Sequence, residues 1–369
     1  MHKNRATAEA TSAYASRHSN LAGNFRKVIG LDISSIGIGT YLGETDEETD
    51  HAYEEAIAAA IRGGINLIDT AVNYRFQRSE RNIGKVINEL VASKEIQREE
   101  IVVATKGGYI TFDGGVPADP RKWFEEKFVR TGIVGSGDMV EGSHCMTPKY
   151  LAAMLEMSRA NLGLETIDIY YLHNPETQLA AVDRKEFLAR IGKAFEFLER
   201  AVTENKIAYY GTATWNGYRA QQTERGWLSL DELLRVAREV AGDAHHFRAI
   251  QLPYNLAMPE AVTLANQGAP NEKTTAVAVA KTFGMAVCAS ASMLQGKLSQ
   301  GLPDILAEAF PSLTTDAQRA VQFVRSTPGI DVALVGMKSL PHVEDILAGA
   351  KQPPASREAL LKLFRSNKP

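Results

Sequence analysis

The chain has 369 residues, 44% of them hydrophobic and 23% charged, a balance that predicts a sizeable buried core and excludes a disordered, collagenous or coiled-coil protein. Its 41 Lys+Arg against 44 Asp+Glu give a formal net charge of −3, so no global field draws it to nucleic acid or to an anionic membrane. Cys145 and Cys288 form no CxxC pair, which argues against a disulfide framework or a cysteine-ligated structural metal and fits a reducing cytoplasm.

Residues 1–23 carry basic residues but no apolar run of secretory length, and read as a flexible leader. No segment reaches the ~18 apolar residues needed to span a bilayer. "FRKVIGLDI" at 25–33 reads as a hairpin around Gly30, placed to cover the bottom of the domain. Eight short apolar runs come next: 35–40, 65–70, 101–106, 167–173, 207–214, 248–255, 285–291 and 331–337. Each is rich in Val, Ile or aromatic residues, as a strand buried on both faces should be.

Helical stripes separate and follow these runs, at 46–62, 79–91, 147–162, 186–205, 229–241, 271–283, 315–326 and 341–348. In the fourth, Leu188, Ile191, Phe195, Leu198 and Val202 recur at alternating spacings of three and four. Strand then helix, repeated eight times, predicts a single (β/α)8 TIM barrel over residues 24–369, with an N-terminal hairpin and an extra C-terminal helix at 356–366. A doubly wound sheet would carry a glycine fingerprint after its first strand, and "GIGTYLGE" at 37–44 lacks the G-x-G-x-x-G spacing.

The 40 residues from Gly107 to Met146 leave the third strand as a loop insertion with Tyr109, Phe112, Trp123, Phe124 and Phe128 among several glycines. A connection this long is often functional, and its position after a strand places it at the catalytic mouth as part of a substrate pocket or lid. Its aromatics suggest a bulky or ring-containing substrate, or else simply pack the loop onto the barrel.

Asp69, Lys106 and His173 terminate the second, third and fourth strands, and Tyr74 lies five residues past Asp69. Singly each has an ordinary reading: a cap, an ion pair, a buried histidine, a packing tyrosine. Together they supply what hydride addition to a carbonyl requires. A tyrosine donates the proton, an ammonium lowers its pKa below ~10, a carboxylate holds that ammonium, and a histidine orients the carbonyl.

This set resembles the aldo-keto reductase tetrad, with Asp69 and Tyr74 in "GINLIDTAVNY", Lys106 in "VVATK" and His173 in "IYYLHNP". The likeness runs from about Phe25 to Leu347, and also includes "IGIGTY", "SERNIGKVI" and "LVGMKSL". It implies an NAD(P)H-dependent oxidoreductase that reduces an aldehyde or ketone, or runs the reverse, on a small-molecule substrate and without metal. It further implies that Thr40, Thr214, Gln251, Ser290, Gln295, Gly296, Leu298, Gly336, Lys338, Ser339 and His342 bind the nucleotide. Tyr41, Tyr109 and Trp215 would then face the substrate. By the same resemblance Lys338 and Ser339 match positions that bind the adenosine 2′-phosphate, before a helix start that favours a phosphate, which points to NADP(H) over NAD(H).

Two positions depart from the family pattern. Ala213 stands where a serine of a Ser-Asn pair is common, and Ser290 where an aromatic platform is usual, leaving Trp215 as the nearest replacement. Two other readings of the residues stay open. One is a non-catalytic nucleotide-sensing subunit of the same fold; the other is a barrel lyase using Lys106 as a Schiff base.

Overall fold

The computed structural model describes residues 1–21, 23–269 and 271–364. Eight parallel strands close into a barrel in the order β3 (Ile36–Gly39), β4 (Leu67–Asp69), β5 (Val102–Gly107), β6 (Ile167–His173), β7 (Ile207–Ala213), β8 (Phe247–Pro253), β9 (Ala286–Ser290) and β10 (Val332–Gly336). Closure is made by β10 beside β3, where Ala333 pairs with Ile36. The expected barrel is therefore the observed one.

Period-two alternation divides each strand between two cores. Leu67, Val102, Ala104, Ile169, Tyr171, Ala249, Cys288 and Val332 point into the barrel and pack together with Val28, Leu31 and Ile33 of the hairpin β1 (Phe25–Val28) and β2 (Leu31–Ser34). Ile68, Val103, Tyr170, Leu172 and Ile250 face outward, onto the helices. One consequence fixes the site. Asp69, Lys106, His173, Gln251 and Ser290 each lie two residues beyond an inward residue, so all five crown the interior column at the C-terminal mouth.

The outer ring comprises α2 (Glu47–Arg62), α3 (Arg78–Ala92), α5 (Pro148–Leu162), α6 (Arg184–Thr203), α7 (Leu230–Ala241), α9 (Ala276–Thr282), α11 (Asp316–Ser326) and α12 (Leu340–Ala350), and α13 (Arg357–Phe364) follows. Most expected boundaries differ by only one or two residues. The exception is α9, which starts at residue 276 rather than 271 because Thr275 caps it and Thr274 bridges back to Gln267. The expected C-terminal helix at 356–366 extends past the described residues, which end at 364. Shorter helices α4 (Pro120–Phe124), α8 (Glu260–Thr263) and α10 (Ile305–Ala309) lie in the connections.

The leader corrects an expectation. Rather than hanging free, it forms α1 (Ala8–Arg17), with Thr7 as N-cap. Its Tyr14 is buried and donates to the Ile61 carbonyl, and Arg17 grips Glu100 through two hydrogen bonds of 2.7 Å. Ahead of the helix, Ala6 N–H donates to Asp168 at 2.7 Å.

The insertion after β5 packs Phe128, Val134 and Cys145 against Tyr150 and Met154 of α5 and Val72 of the loop after β4. Trp123 stacks edge-on against Phe112 and Phe128, with ring centres at 5.1 and 5.6 Å. These aromatics pack against one another within the loop. Tyr109 instead faces the mouth.

Candidate active site

Four side chains meet where β4, β5 and β6 end. Lys106 is 1% exposed and donates to Asp69 Oδ2 and to the Thr70 carbonyl, both at 2.7 Å. Gln251 Nε2 donates to the other Asp69 oxygen at 2.7 Å, so that carboxylate is held from two sides. The Lys106 ammonium lies 4.9 Å from the centre of the Tyr74 ring, and His173 meets the same ring edge-on at 5.9 Å.

Burial disfavours the Lys106 ammonium, but Asp69 and Tyr74 beside it reverse the balance and hold its pKa above the ordinary lysine value. A charged, ion-paired lysine is the wrong form for a Schiff base, which counts against the lyase reading. Burial is also the largest influence on Tyr74. It raises the phenol's pKa above 10, with Lys106 opposing but not overcoming it. The expected net lowering is thus corrected: the ammonium moderates the cost of a buried phenolate. His173 is held neutral, its pKa far below 6.5, by burial first and by the nearby Lys106 and His144 second.

The turn that presents Tyr74 is unusual. Arg75, Phe76 and Gln77 all have left-handed backbones, with φ of 48°, 52° and 74°. For residues with a Cβ this costs about 1–2 kcal/mol each, so the surroundings must hold the turn in place. Arg75 is fully enclosed, bonding Glu44 O at 2.7 Å, Asn82 at 3.0 Å and Asp50 at 2.6 Å. The insertion braces the other side, where Gln77 Nε2 donates to Phe112 O at 2.7 Å and Gly114 N–H donates to Phe76 O at 2.9 Å.

Tyr74, Asp69 and His173 line one end of a cavity of about 700 Å³ that runs along the strand ends to the start of α12. Of the positions the resemblance suggested, Thr40, Thr214, Gln251, Ser290, Gln295, Gly296, Gly336, Lys338 and His342 line it, together with Tyr41, Tyr109 and Trp215. Lys106 sits behind this wall, and Leu298 and Ser339 are not among its lining residues. Asn73, Leu42, Asn174 and Met293 line it too, with no signal in the sequence beyond proximity to a strand end, as does Asp345 of α12.

A nicotinamide nucleotide fits this donor set. Buried atoms without a partner, His173 Nδ1, Asn73 Oδ1 and Thr214 Oγ1, belong to lining residues at the tetrad end. The far end has Lys338 beside a helix start whose Ser339 hydroxyl makes no cap bond. Glu176 accepts the N–H groups of Trp215, Asn216 and Gly217 at 2.9, 3.0 and 3.1 Å, fixing the loop that carries the half-exposed Trp215.

The sequence model of the aldo/keto reductase family matches residues 35–304, and the chain belongs to that family. Among curated proteins it is similar to the NADH-specific methylglyoxal reductase of Escherichia coli (strain K12), 27% identical over 191 residues, half of this chain and 49% of that one. It is also similar to the aldo-keto reductase YhdN of Bacillus subtilis (strain 168), 41% identical over 83 residues, 21% of this chain and 23% of that one. The chain thus spans half or less of the length of these relatives.

Among solved structures, an aldo/keto reductase from Klebsiella pneumoniae in complex with NADP and acetate superposes with a TM-score of 0.62 at 20% identity, covering 93% of this chain and 95% of that one. The glycerol dehydrogenase AKR11B4 from Gluconobacter oxydans superposes with a TM-score of 0.63 at 19% identity, covering 94% and 97%. These likenesses bear on the fold.

Proposed function

We propose that the protein is an NAD(P)H-dependent oxidoreductase that reduces an aldehyde or ketone to the alcohol, or runs the reverse, with Tyr74 as the acid. The observation that carries this reading is the Asp69–Lys106–Tyr74 arrangement, with its 2.7 Å ion pair and 4.9 Å ammonium-to-ring distance, at the wall of an elongated cavity. When bound, the nicotinamide supplies or accepts the hydride.

The chain's own residues handle the proton and the oxygen. As a C–H bond forms at the carbonyl carbon, the C=O π electrons move onto oxygen, and Tyr74 O–H passes its proton to that oxygen. Lys106 stabilises the resulting phenolate, and Asp69 keeps Lys106 charged and oriented. His173 stays neutral and holds the carbonyl oxygen in line. Solvent then returns a proton to Tyr74.

NADP(H) is the preferred nucleotide in this reading, because Lys338 and the positive dipole end of α12 offer a cation and a favourable field to a phosphate. A relative's name, NADH-specific, makes this a point to measure rather than to carry over. The substrate end is walled by Tyr41, Leu42, Tyr109 and Trp215, with no charged side chain among these four, so an uncharged, ring-bearing carbonyl suits it. Trp215 is 41% and Tyr41 55% exposed, areas that such a ring would cover.

Nucleotide-free protein titrated separately with NADPH and NADH by calorimetry, then assayed over a carbonyl panel, tests the reading. Micromolar or tighter binding of NADPH with turnover is expected. Binding without turnover would favour a sensing subunit, and no binding of either nucleotide would sink the oxidoreductase reading.

A further inference from the structure

The insertion between β5 and α5 leaves and returns at the same place, and its return residue is His144. His144 is 1% exposed, and it sits beneath the end of β6. Its Nε2 is 2.8 Å from the backbone oxygen of His173, and its Nδ1 is 2.8 Å from Gln178 Nε2.

The direction of these bonds follows from the far end of the chain of contacts. Arg190 can only donate, and its guanidinium meets Gln178 Oε1 at 2.6 Å. That bond fixes which end of the Gln178 amide is oxygen, so its NH₂ faces His144 and donates to Nδ1. Nδ1 is therefore the acceptor, Nε2 carries the hydrogen, and Nε2–H donates to the His173 carbonyl. Burial agrees with a neutral ring, since it pushes the His144 pKa down to about 4.

Three neighbours show that this contact is accommodated by the chain around it. Gly108 has φ +149°, and a Cβ there would lie 2.9 Å from both His144 Nε2 and the His173 oxygen, so only glycine lets the two meet. Tyr109 packs edge-on against both imidazoles, each ring centre at 5.0 Å. Asn174, directly after His173, has φ 45° and donates to Tyr109 Oη at 3.2 Å.

From this geometry we infer that His144, oriented by Gln178 and Arg190, is a positioning residue that sets the placement of His173 by holding its backbone carbonyl. The insertion after β5 is then a brace for the site as well as a wall. It fixes the Tyr74 turn through Phe112 and Gly114, and the His173 strand end through His144. The kinetic part rests on the oxidoreductase reading; the positioning part does not.

Two substitutions separate hydrogen bonding from packing. His144→Phe keeps a ring against Tyr109 and His173 but donates nothing, whereas His144→Gln restores an N–H donor. Gln178→Met removes the orienting donor without touching His144, and serves as the test where His144→Phe fails to fold. The readouts are the imidazole NMR signals of His173 in the free protein, the nucleotide Kd, and kcat and KM with a carbonyl substrate.

For His144→Phe we expect shifted or broadened His173 signals, an unchanged nucleotide Kd and a kcat lower by about tenfold to a hundredfold, since small misplacements at a reacting centre cost this much. His144→Gln should recover most of the loss, and Gln178→Met should fall between. Unchanged His173 signals and kcat in His144→Phe would overturn the inference. So would a His144→Gln as impaired as His144→Phe alongside a neutral Gln178→Met, which would show that the donated hydrogen bond is not what places His173. If the wild type turns over no carbonyl, the oxidoreductase reading fails by itself, and the His173 signals alone decide this inference.

Discussion

At the N-terminal end of the barrel, Asp168 accepts hydrogen bonds from Ala6 N–H, Val103 N–H and the Arg98 guanidinium at 2.7, 2.8 and 2.6 Å. At the C-terminal end, His173 Nδ1, Asn73 Oδ1 and Thr214 Oγ1 are buried without partners, and three consecutive non-glycine residues after Tyr74 hold a left-handed backbone. One end uses its polar groups to tie the leader, β5 and β6 together. The other places unpartnered polar atoms and strained backbone at the wall of a cavity. A barrel with its chemistry at the strand ends separates these tasks because the floor can be optimised for stability while the mouth is kept ready for a ligand.

The sharpest way to break this comparison is Tyr74→Phe. Losing the proton donor should lower turnover about 10²- to 10⁴-fold, while the thermal midpoint and the nucleotide Kd barely move. Calorimetric titration beside steady-state kinetics checks both halves. A mutant as active as wild type would remove Tyr74 from the mechanism.

Next in size is Asp168→Ala, which strands the Arg98 charge and two backbone N–H groups. Chemical denaturation should show a loss of about 3–5 kcal/mol, typical of breaking a buried ion pair, with kcat per folded molecule unchanged. A drop in kcat at constant fold would mean that floor and mouth are coupled. Tyr109→Ala should act more weakly and more selectively. We expect about a tenfold loss in kcat/KM for ring-bearing carbonyls and less for small aliphatic ones, measured as paired substrates. Equal losses on both would assign Tyr109 to bracing His173 alone.

How much of this was legible in the sequence depends on whether the deciding contact is local. The convergence of Asp69, Lys106 and His173 at the mouth is readable because each ends an apolar run in the inward register. The leader helix was missed because its polar, alanine-rich composition signals no core, and its anchors, Ile61 O and Glu100, are 47 and 83 residues away. His144 was missed for the same reason. A lone histidine in a glycine-rich loop carries no pattern, and its partners His173 and Gln178 are 29 and 34 residues on. The direction of the Tyr74 pKa shift was beyond sequence too, because the sequence names the opposing cation but not the burial that outweighs it.

The smallest expected effect is an absence of change with pH, and it discriminates most finely between the forces at the mouth. On the proposed mechanism Tyr74 is protonated in the reducing direction, so the rate of the chemical step should fall only as pH rises through its pKa, which burial has raised above 10. His173 would lose its neutral form only far below pH 6.5, and His144 only near pH 4. Single-turnover reduction should therefore be flat from about pH 6 to about pH 9, and the reverse oxidation, which needs the phenolate, should still be rising at the top of that range. An inflection near pH 7–8 in reduction would mean that Lys106 outweighs burial at Tyr74. An inflection near pH 6.5 would mean that His173 is solvated and titrating, and that burial does not set its protonation state.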